Sequence, residues 1–440
     1  MAKDTLSQLR AGELSGTREL HLSRLGLKEI PEEVFELADS LELLNLSQNQ
    51  LSSLPDKLSG LTKLKILFCS ENHFDHVPEV VGACPRLRMA GFKSNVIREL
   101  PADALPPMLR WLILTDNQLQ TLPAMLGRRP LQKLMLSGNQ LSTLPDEMAN
   151  CHHLELLRLA ANQFHELPAW LFDLPNLAWL AIAGNPYSKI ADHWRDGLPQ
   201  IPWSELELIE KLGEGASGVI HRALWKSNGP SQQNREVAVK VFKAAMTSDG
   251  LPENEMAASV MAGQHPNLIQ LLGQFSNHPD ACEGLLLELI SSDYQTLAGP
   301  PSFDSCTRDV YAEELVFSLP LALSIATGIA SAAARLHDRG MIHGDLYAHN
   351  ILWHKNGHAL LGDFGAASFY PPAQRELLER IEARAFGYLL EELTARIDPR
   401  SSVPQAWLKL QKQCLKAETK KRPCFAEIQQ VQESLRTAVG

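Results

Sequence analysis

An asparagine recurs along the first half of this 440-residue chain at almost constant spacing: Asn49, Asn72, Asn95, Asn117, Asn139, Asn162 and Asn185 lie 22 or 23 residues apart. Around each stands the pattern L-x-x-L-x-L-x-x-N-x-L, as in Leu109, Leu112, Leu114, Asn117 and Leu119, and a proline follows six residues later at Pro55, Pro78, Pro101, Pro123, Pro145 and Pro168. A leading copy runs from Leu20 to Pro31, with Leu25 in the asparagine position. So constant a period means one supersecondary unit repeated in space. The alternate leucines read as a short strand with one face turned inward, and the asparagine as a turn residue whose side chain bonds backbone within the stack. A single unit cannot bury its own apolar face, so the units must stack.

The pattern resembles the leucine-rich repeat solenoid of the L-P-x-x-L type, an α/β architecture. It covers residues 17–190 in about eight repeats, with residues 1–16 as an N-terminal cap and Asn185-Pro186 closing the array. Cys69, Ala90 and Phe92 replace leucine as mild departures. Such a solenoid presents one strand per repeat on its concave side. The positions there that do not face the core include Ile66, Phe68, Met89, Trp111, Ile113, Met135, Leu156 and Trp179. A nearly continuous apolar stripe is expected to contact a protein partner or substrate, or this chain's own second half.

Composition supports two globular domains: hydrophobic residues make up 45% and charged residues 21%, and the chain is too long for one core. The net charge of -10, with both halves acidic, argues against nucleic acid as a partner. Seven scattered cysteines without a C-x-x-C spacing read as reduced thiols of a cytoplasmic protein, and Met1–Arg10 holds no apolar signal segment. From Leu315 to Ala334 no residue is charged, a length that spans a bilayer on paper. Ser318, Pro320, Ser324, Thr327, Gly328 and Ser331 interrupt it, so it reads as a buried helix and no membrane contact is expected.

Beyond a linker at residues 191–203 the period vanishes. The segment LIEKLGEGASGVIHRALW places Gly213, Gly215 and Gly218 in G-x-G-x-x-G spacing, which a dinucleotide-binding turn shares. β-rich segments flank it on both sides, so a hairpin is expected rather than a strand-to-helix turn. A strand EVAVKVFK with Lys240 follows, then HPNLIQLLG, LLLELI, RLHDRGMIHGDLYAHNIL with Asp345 and Asn350, and LLGDFGAAS with Asp363. That order, with five residues from Asp345 to Asn350 and eighteen from Asp345 to Asp363, resembles the protein kinase catalytic domain, a bilobal α+β fold, over residues 204–437.

The resemblance implies phosphoryl transfer from ATP with Mg2+. By it, Gly213, Glu214, Gly215, Gly218 and Val219 cover the phosphates, and Ala238, Leu287, Glu288 and Ile290 surround the adenine. Lys240 binds the α and β phosphates and is oriented by Glu255, with Glu253 in reserve. Asp345 accepts the hydroxyl proton, while Asn350 and Asp363 hold the metal. The resulting expectation is a protein kinase of serine/threonine rather than tyrosine type that docks substrates or partners through its repeats. The alternative is a pseudokinase-like signalling scaffold.

Several positions depart from the family pattern. The H-R-D arginine is Gly344, so switching by an activating phosphate is not expected. Tyr347 and His349 stand where a lysine would mark serine/threonine kinases and an arginine tyrosine kinases. The activation segment is short, with Glu382 nineteen residues after Asp363 at the place of a large-lobe helix aspartate, and without A-P-E. Arg422 lacks its usual A-P-E glutamate, for which Glu376 is the stand-in. Ser368 and Tyr370, the only hydroxyls between Gly365 and Glu382, read as exposed loop residues open to self-modification.

Overall fold

The computed structural model describes residues 2–190, 194–215, 217–226, 234–243, 246–247 and 249–439, and divides into two compact units, Met1–Leu177 and Ala178–Gly440. The first opens with helix α1 (Ala2–Arg10) and carries seven three-residue strands: β1 (Glu19–His21), β2 (Leu43–Asn45), β3 (Ile66–Phe68), β4 (Met89–Gly91), β5 (Trp111–Ile113), β6 (Lys133–Met135) and β7 (Leu156–Arg158). Successive strands pair in parallel with their central residues, Leu20, Leu44, Leu67, Ala90, Leu112, Leu134 and Leu157, in one row. Those side chains are buried. Each repeat proline precedes a short 3-10 turn such as Asp56–Gly60 or Asp146–Asn150, its ring fixing the φ that starts the turn.

The asparagines do more than close a local turn. Asn117 donates from Nδ2 to the carbonyls of Phe92 in the preceding repeat (2.9 Å) and of Leu114 and Thr115 in its own (3.1 and 3.2 Å), while its Oδ1 accepts from Ile97 N–H (3.0 Å). Asn49, Asn72, Asn95, Asn139 and Asn162 repeat the motif. The residue before each asparagine takes a left-handed φ near +55°, whether it is Gln48, Glu71, Ser94, Asp116 or Ala161. At Gly138 and Gly184 glycine suits that conformation, so at the other positions the side-chain bonds hold the strain.

The second unit begins with an eighth repeat strand, β8 (Trp179–Ala181). Its small lobe is a six-stranded sheet in the order β10-β11-β12-β14-β13-β9, built from β9 (Gln200–Pro202), β10 (Leu206–Glu214), β11 (Gly218–Trp225), β12 (Arg235–Phe242), β13 (Leu271–Ser276) and β14 (Gly284–Glu288), and covered by α2 (Pro252–Ala262). The sequence-based linker is therefore corrected in part. Residues 191–193 lie outside the described residues, but Trp194 packs with Phe242, Met256 and Leu285, and Ile201 with Val237 and Phe275, while β9 pairs in parallel with β13.

Short ladders follow, β15 (Gln295–Thr296) with β17 (Ile351–Trp353) and β18 (Ala359–Leu361), and β16 (Met341–Ile342) with β19 (Ser368–Phe369). Between them stands α3 (Leu319–Asp338), then α4 (Arg375–Thr394), α5 (Gln405–Cys414) and α6 (Phe425–Val439). By length and composition α3 is apolar enough to cross a membrane. Its Ala322, Ile325, Ala326, Ile329, Ala330 and Ala333 are wholly buried, and the helix packs against α4, α6 and β18, which accounts for the missing charges.

Beneath the helical lobe lies a half-dry charged cluster. Tyr311 donates to Glu392 Oε2 (2.9 Å), Arg396 stacks over the Tyr311 ring (3.7 Å), and Asp309 holds His349 through Nδ1 and N–H (2.7 and 3.0 Å). Burial, reinforced by Asp309, pushes the Glu392 carboxyl up to about 7. A carboxyl raised in the folded state favours folding below its unfolded value and loses that contribution as pH rises through 7.

Two outcomes follow for denaturant melts of the full chain. Asn117→Ala strands several buried backbone groups and is expected to destabilise the repeat unit by about 3 kcal/mol. Glu392→Gln, which still accepts from Tyr311, is expected to raise stability at pH 8 by about 2 kcal/mol and to change it little at pH 4.5.

Candidate active site

Strands β10 and β11 form an antiparallel hairpin that continues into β12, with no helix after the third glycine. The three glycines serve different needs. A Cβ on Gly218 would stand 2.5 Å from Val241 O, so packing alone demands glycine there. Around Gly213 and Gly215 a Cβ would meet nothing within 4 Å, which leaves the backbone bare toward open space.

Lys240 sits in β12 between Ile220 of β11 and Leu285 of β14, and its ammonium forms an ion pair with Glu255 of α2. Their side chains are only 11% and 5% exposed. Glu253 is 58% exposed and lies near Arg195 (3.8 Å), so it is not the partner. Burial raises the Glu255 carboxyl above its ordinary range, Lys240 pulls it back down, and Asp363 pushes it up again. A Cβ on Gly365 would stand 3.2 Å from Asp363 Oδ1 and 3.9 Å from Glu255 Oε2, so both carboxylates face the Gly365 backbone.

The segment carrying Asp345 and Asn350 is laced to the end of β18. His343, wholly buried, bonds Gly362 O through Nε2 (2.9 Å), and its Nδ1 accepts Asp345 N–H (3.3 Å), an arrangement that suits the Nε2–H tautomer. Gly362 N–H donates to Asn350 O (3.0 Å), while Asn350 Nδ2 donates to Asp345 Oδ2 and O (2.9 and 3.0 Å). Asp363 holds φ at 57° and accepts Gly365 N–H through Oδ1 (3.1 Å). Glu382, at the expected aspartate place on α4, accepts Gly344 N–H (2.7 Å) and bonds His337 Nε2 (2.7 Å).

A cavity of about 890 Å³, counting its open mouth, is lined by Gly215, Gly218, Ile220, Lys240, Asp249, Glu255, Ile269, Leu287 and Asp363 among others. Apolar side chains and a few convergent charges are the usual make-up of a small-molecule site. Of the remaining expected residues, Ala238 lies across the ladder from Leu287, and Glu288 donates its N–H to Gln270 O (2.9 Å). Glu214 turns its carboxylate to Lys211 and Lys243, which hold it near 2. Gly213, Val219, Ile290, Asp345 and Asn350 do not line the cavity itself. The donor types fit a hard cation: Asn350 spends its nitrogen on Asp345, which leaves its amide oxygen, and Asp363, next to the Gly362 that bonds Asn350 O, is an exposed carboxylate.

Three expectations are corrected. Trp179, placed on the open apolar stripe, is 2% exposed. Met89 and Leu156 are also buried, whereas Ile66 and Phe68 of β3, Trp111 and Ile113 of β5 and Met135 of β6 remain partly exposed, with buried β4 between the first two strands. Ser368 and Tyr370 are not open loop hydroxyls: Ser368 is wholly buried, and Tyr370 donates to His337 O and Glu379 Oε1 (3.1 and 2.8 Å). Glu376 is a solvent-exposed partner of Arg380 (2.7 Å), while buried Arg422 donates to the carbonyls of Lys416, Ala417 and Arg380.

Comparison with known proteins agrees with this layout. Residues 206–383 match the protein tyrosine and serine/threonine kinase family, and residues 15–74, 107–164 and 129–187 match leucine rich repeats. A probable serine/threonine-protein kinase of Dictyostelium discoideum is 32% identical over 178 residues, 38% of this chain and 9% of that protein. A second Dictyostelium discoideum protein of the same description is 24% identical over 273 residues, 52% of this chain and 28% of its own length. Tyrosine-protein kinase Abl of Drosophila melanogaster is 31% identical over 188 residues, 41% of this chain and 10% of that protein. The chain thus spans about a tenth to about a quarter of these relatives, and its own layout is a leucine-rich repeat region followed by a protein kinase domain.

Proposed function

We propose that the chain is an ATP- and Mg2+-dependent protein kinase of serine/threonine type, lacking the phosphate-answering arginine and with a shortened activation segment, that docks substrates or partners through its repeats. The observation that carries this reading is the buried Lys240–Glu255 pair with Asp363 alongside, on a cavity beneath a glycine hairpin. An inert fold has little use for a buried lysine–glutamate pair facing a cavity, since each charge costs free energy to bury.

Each residue then has a role its surroundings support. Lys240 neutralises phosphate oxygens, and Glu255 keeps its ammonium aimed and charged. Bare backbone at Gly213 and Gly215 approaches the phosphates, with Leu287 and Ile269 against the base. Asn350 and Asp363 hold the metal, which when bound screens the charge developing on the transferred group. Asp345, its carboxylate steadied by Asn350, orients the acceptor hydroxyl and takes its proton.

Two of the three relatives described above carry serine/threonine in their names, which supports that acceptor type. Docking is supported by the half-exposed Ile66, Phe68, Trp111, Ile113 and Met135, which stand in register on β3, β5 and β6 either side of buried β4. A reducing, cytoplasmic setting suits seven free cysteines.

The test is incubation of the full chain with labelled ATP and Mg2+. Incorporation by wild type is expected to fall about 100-fold or more in Lys240→Ala, Asp345→Ala and Asp363→Asn, the scale lost when a transition-state group is removed. Equal labelling of wild type and Asp345→Ala would leave the chain a scaffold.

A further inference from the structure

Within the repeat array, the residue just after each strand donates its N–H to the next repeat: Leu46 to Phe68 O, Cys69 to Gly91 O, Phe92 to Ile113 O, Leu114 to Met135 O and Leu136 to Arg158 O, all at 2.7 or 2.8 Å. The corresponding residue after β8, the last strand in the series, is Ile182. With no further repeat to receive it, its N–H would be an open sheet edge. In the structure Ile182 N–H and Ala183 N–H both donate to Ser368 Oγ (2.9 and 3.1 Å), and that hydroxyl donates in turn to Ala366 O (2.9 Å). Ser188 Oγ adds a bond to Phe369 O (2.7 Å) and Tyr187 one to Gln374 Oε1 (2.6 Å). The segment after Asp363 thus stands where the next repeat would.

The same strand reaches the loop that carries Asp345. Trp179 stacks on Tyr347 with ring centroids 4.1 Å apart and planes 7° from parallel, and its Nε1 donates to Leu346 O (3.1 Å). Tyr347 is two residues past Asp345. Between these contacts lies Gly344, at φ 73°, where a Cβ would stand 2.6 Å from both Leu180 O and Ala366 O. No side chain fits there, so the arginine that answers an activating phosphate is excluded by the backbone of the repeat strand.

We infer that Ala178–Ser188 is a fixed interaction surface of the catalytic unit, with Trp179 and Ser368 as positioning residues. Together they set the Asp345 loop and the activation segment in their working geometry without an activating phosphate. This rests on the kinase reading for its functional consequence, whereas the brace itself is a structural statement that exchange measurements reach separately. Ordinary packing between neighbouring elements would affect stability and all kinetic constants alike; a brace on the acceptor side would leave ATP binding nearly unchanged.

The experiment uses the full chain, with a degenerate peptide mixture bearing serine, threonine or tyrosine as the phosphate acceptor, together with amide hydrogen exchange. Trp179→Ala and Ser368→Ala are expected to lower kcat about tenfold or more, with KM for ATP within about twofold, since misplacement by an ångström costs on that scale. Exchange at residues 344–349 and 366–370 should quicken by at least about tenfold, and Trp179→Phe should recover most of both losses. Ser368→Ala removes one oxygen and keeps the test alive should Trp179→Ala fail to fold. Gly344→Arg should be inactive rather than activated. Unchanged exchange in both variants, equal losses in kcat and ATP affinity, or an active Gly344→Arg would overturn the inference. A wild type that transfers no phosphate would sink the kinase reading instead, and exchange alone would then decide the brace.

Discussion

The ion pair between Lys240 and Glu255 is the constraint around which the second unit is organised. Removing two charges from water costs several kcal/mol, and their attraction offsets that only when geometry is held tightly. The exposed pair Lys57–Glu32, with side chains 62% and 72% accessible, carries no such cost and little benefit. Holding Lys240 and Glu255 together requires the sheet that places Lys240 between Ile220 and Leu285, and the helix that brings Glu255 down onto it. Asp363 and Asp249 face the same cavity, so carboxylates outnumber the ammonium there.

Much of this was legible in the sequence, and for a definite reason: spacing survives translation into structure when each residue's partner is close in sequence or is a repeat of itself. The asparagine period gave the strand register directly, and the runs around Lys240 and Asp363 named residues that the structure brings onto one cavity. What escaped was set by partners far along the chain. Nothing about Gln48, Glu71 or Ala161 signals a left-handed φ, because the neighbouring asparagine imposes it through bonds to another repeat. Trp179 obeyed the pattern of an open apolar stripe, and its burial depends on Tyr347 and Tyr388, more than 160 residues away. Gly344 was visible as a missing arginine, but the cause of the loss, the carbonyl of Leu180, was not.

Residues 178–202 explain why the boundary between halves resists being drawn at a linker. The first part of this stretch serves the helical lobe, through Trp179 on Leu346, Ile182 on Ser368 and Tyr187 on Gln374. The last part serves the sheet lobe, through Trp194 against Phe242 and Met256 and through β9 beside β13. One segment of chain is therefore fastened to both lobes that bound the cavity. The catalytic unit on this view starts at Ala178: cutting the chain at residue 204 would strip β9 from the sheet and the hydrogen-bonded donors from Ser368, leaving buried polar groups without partners on both lobes at once.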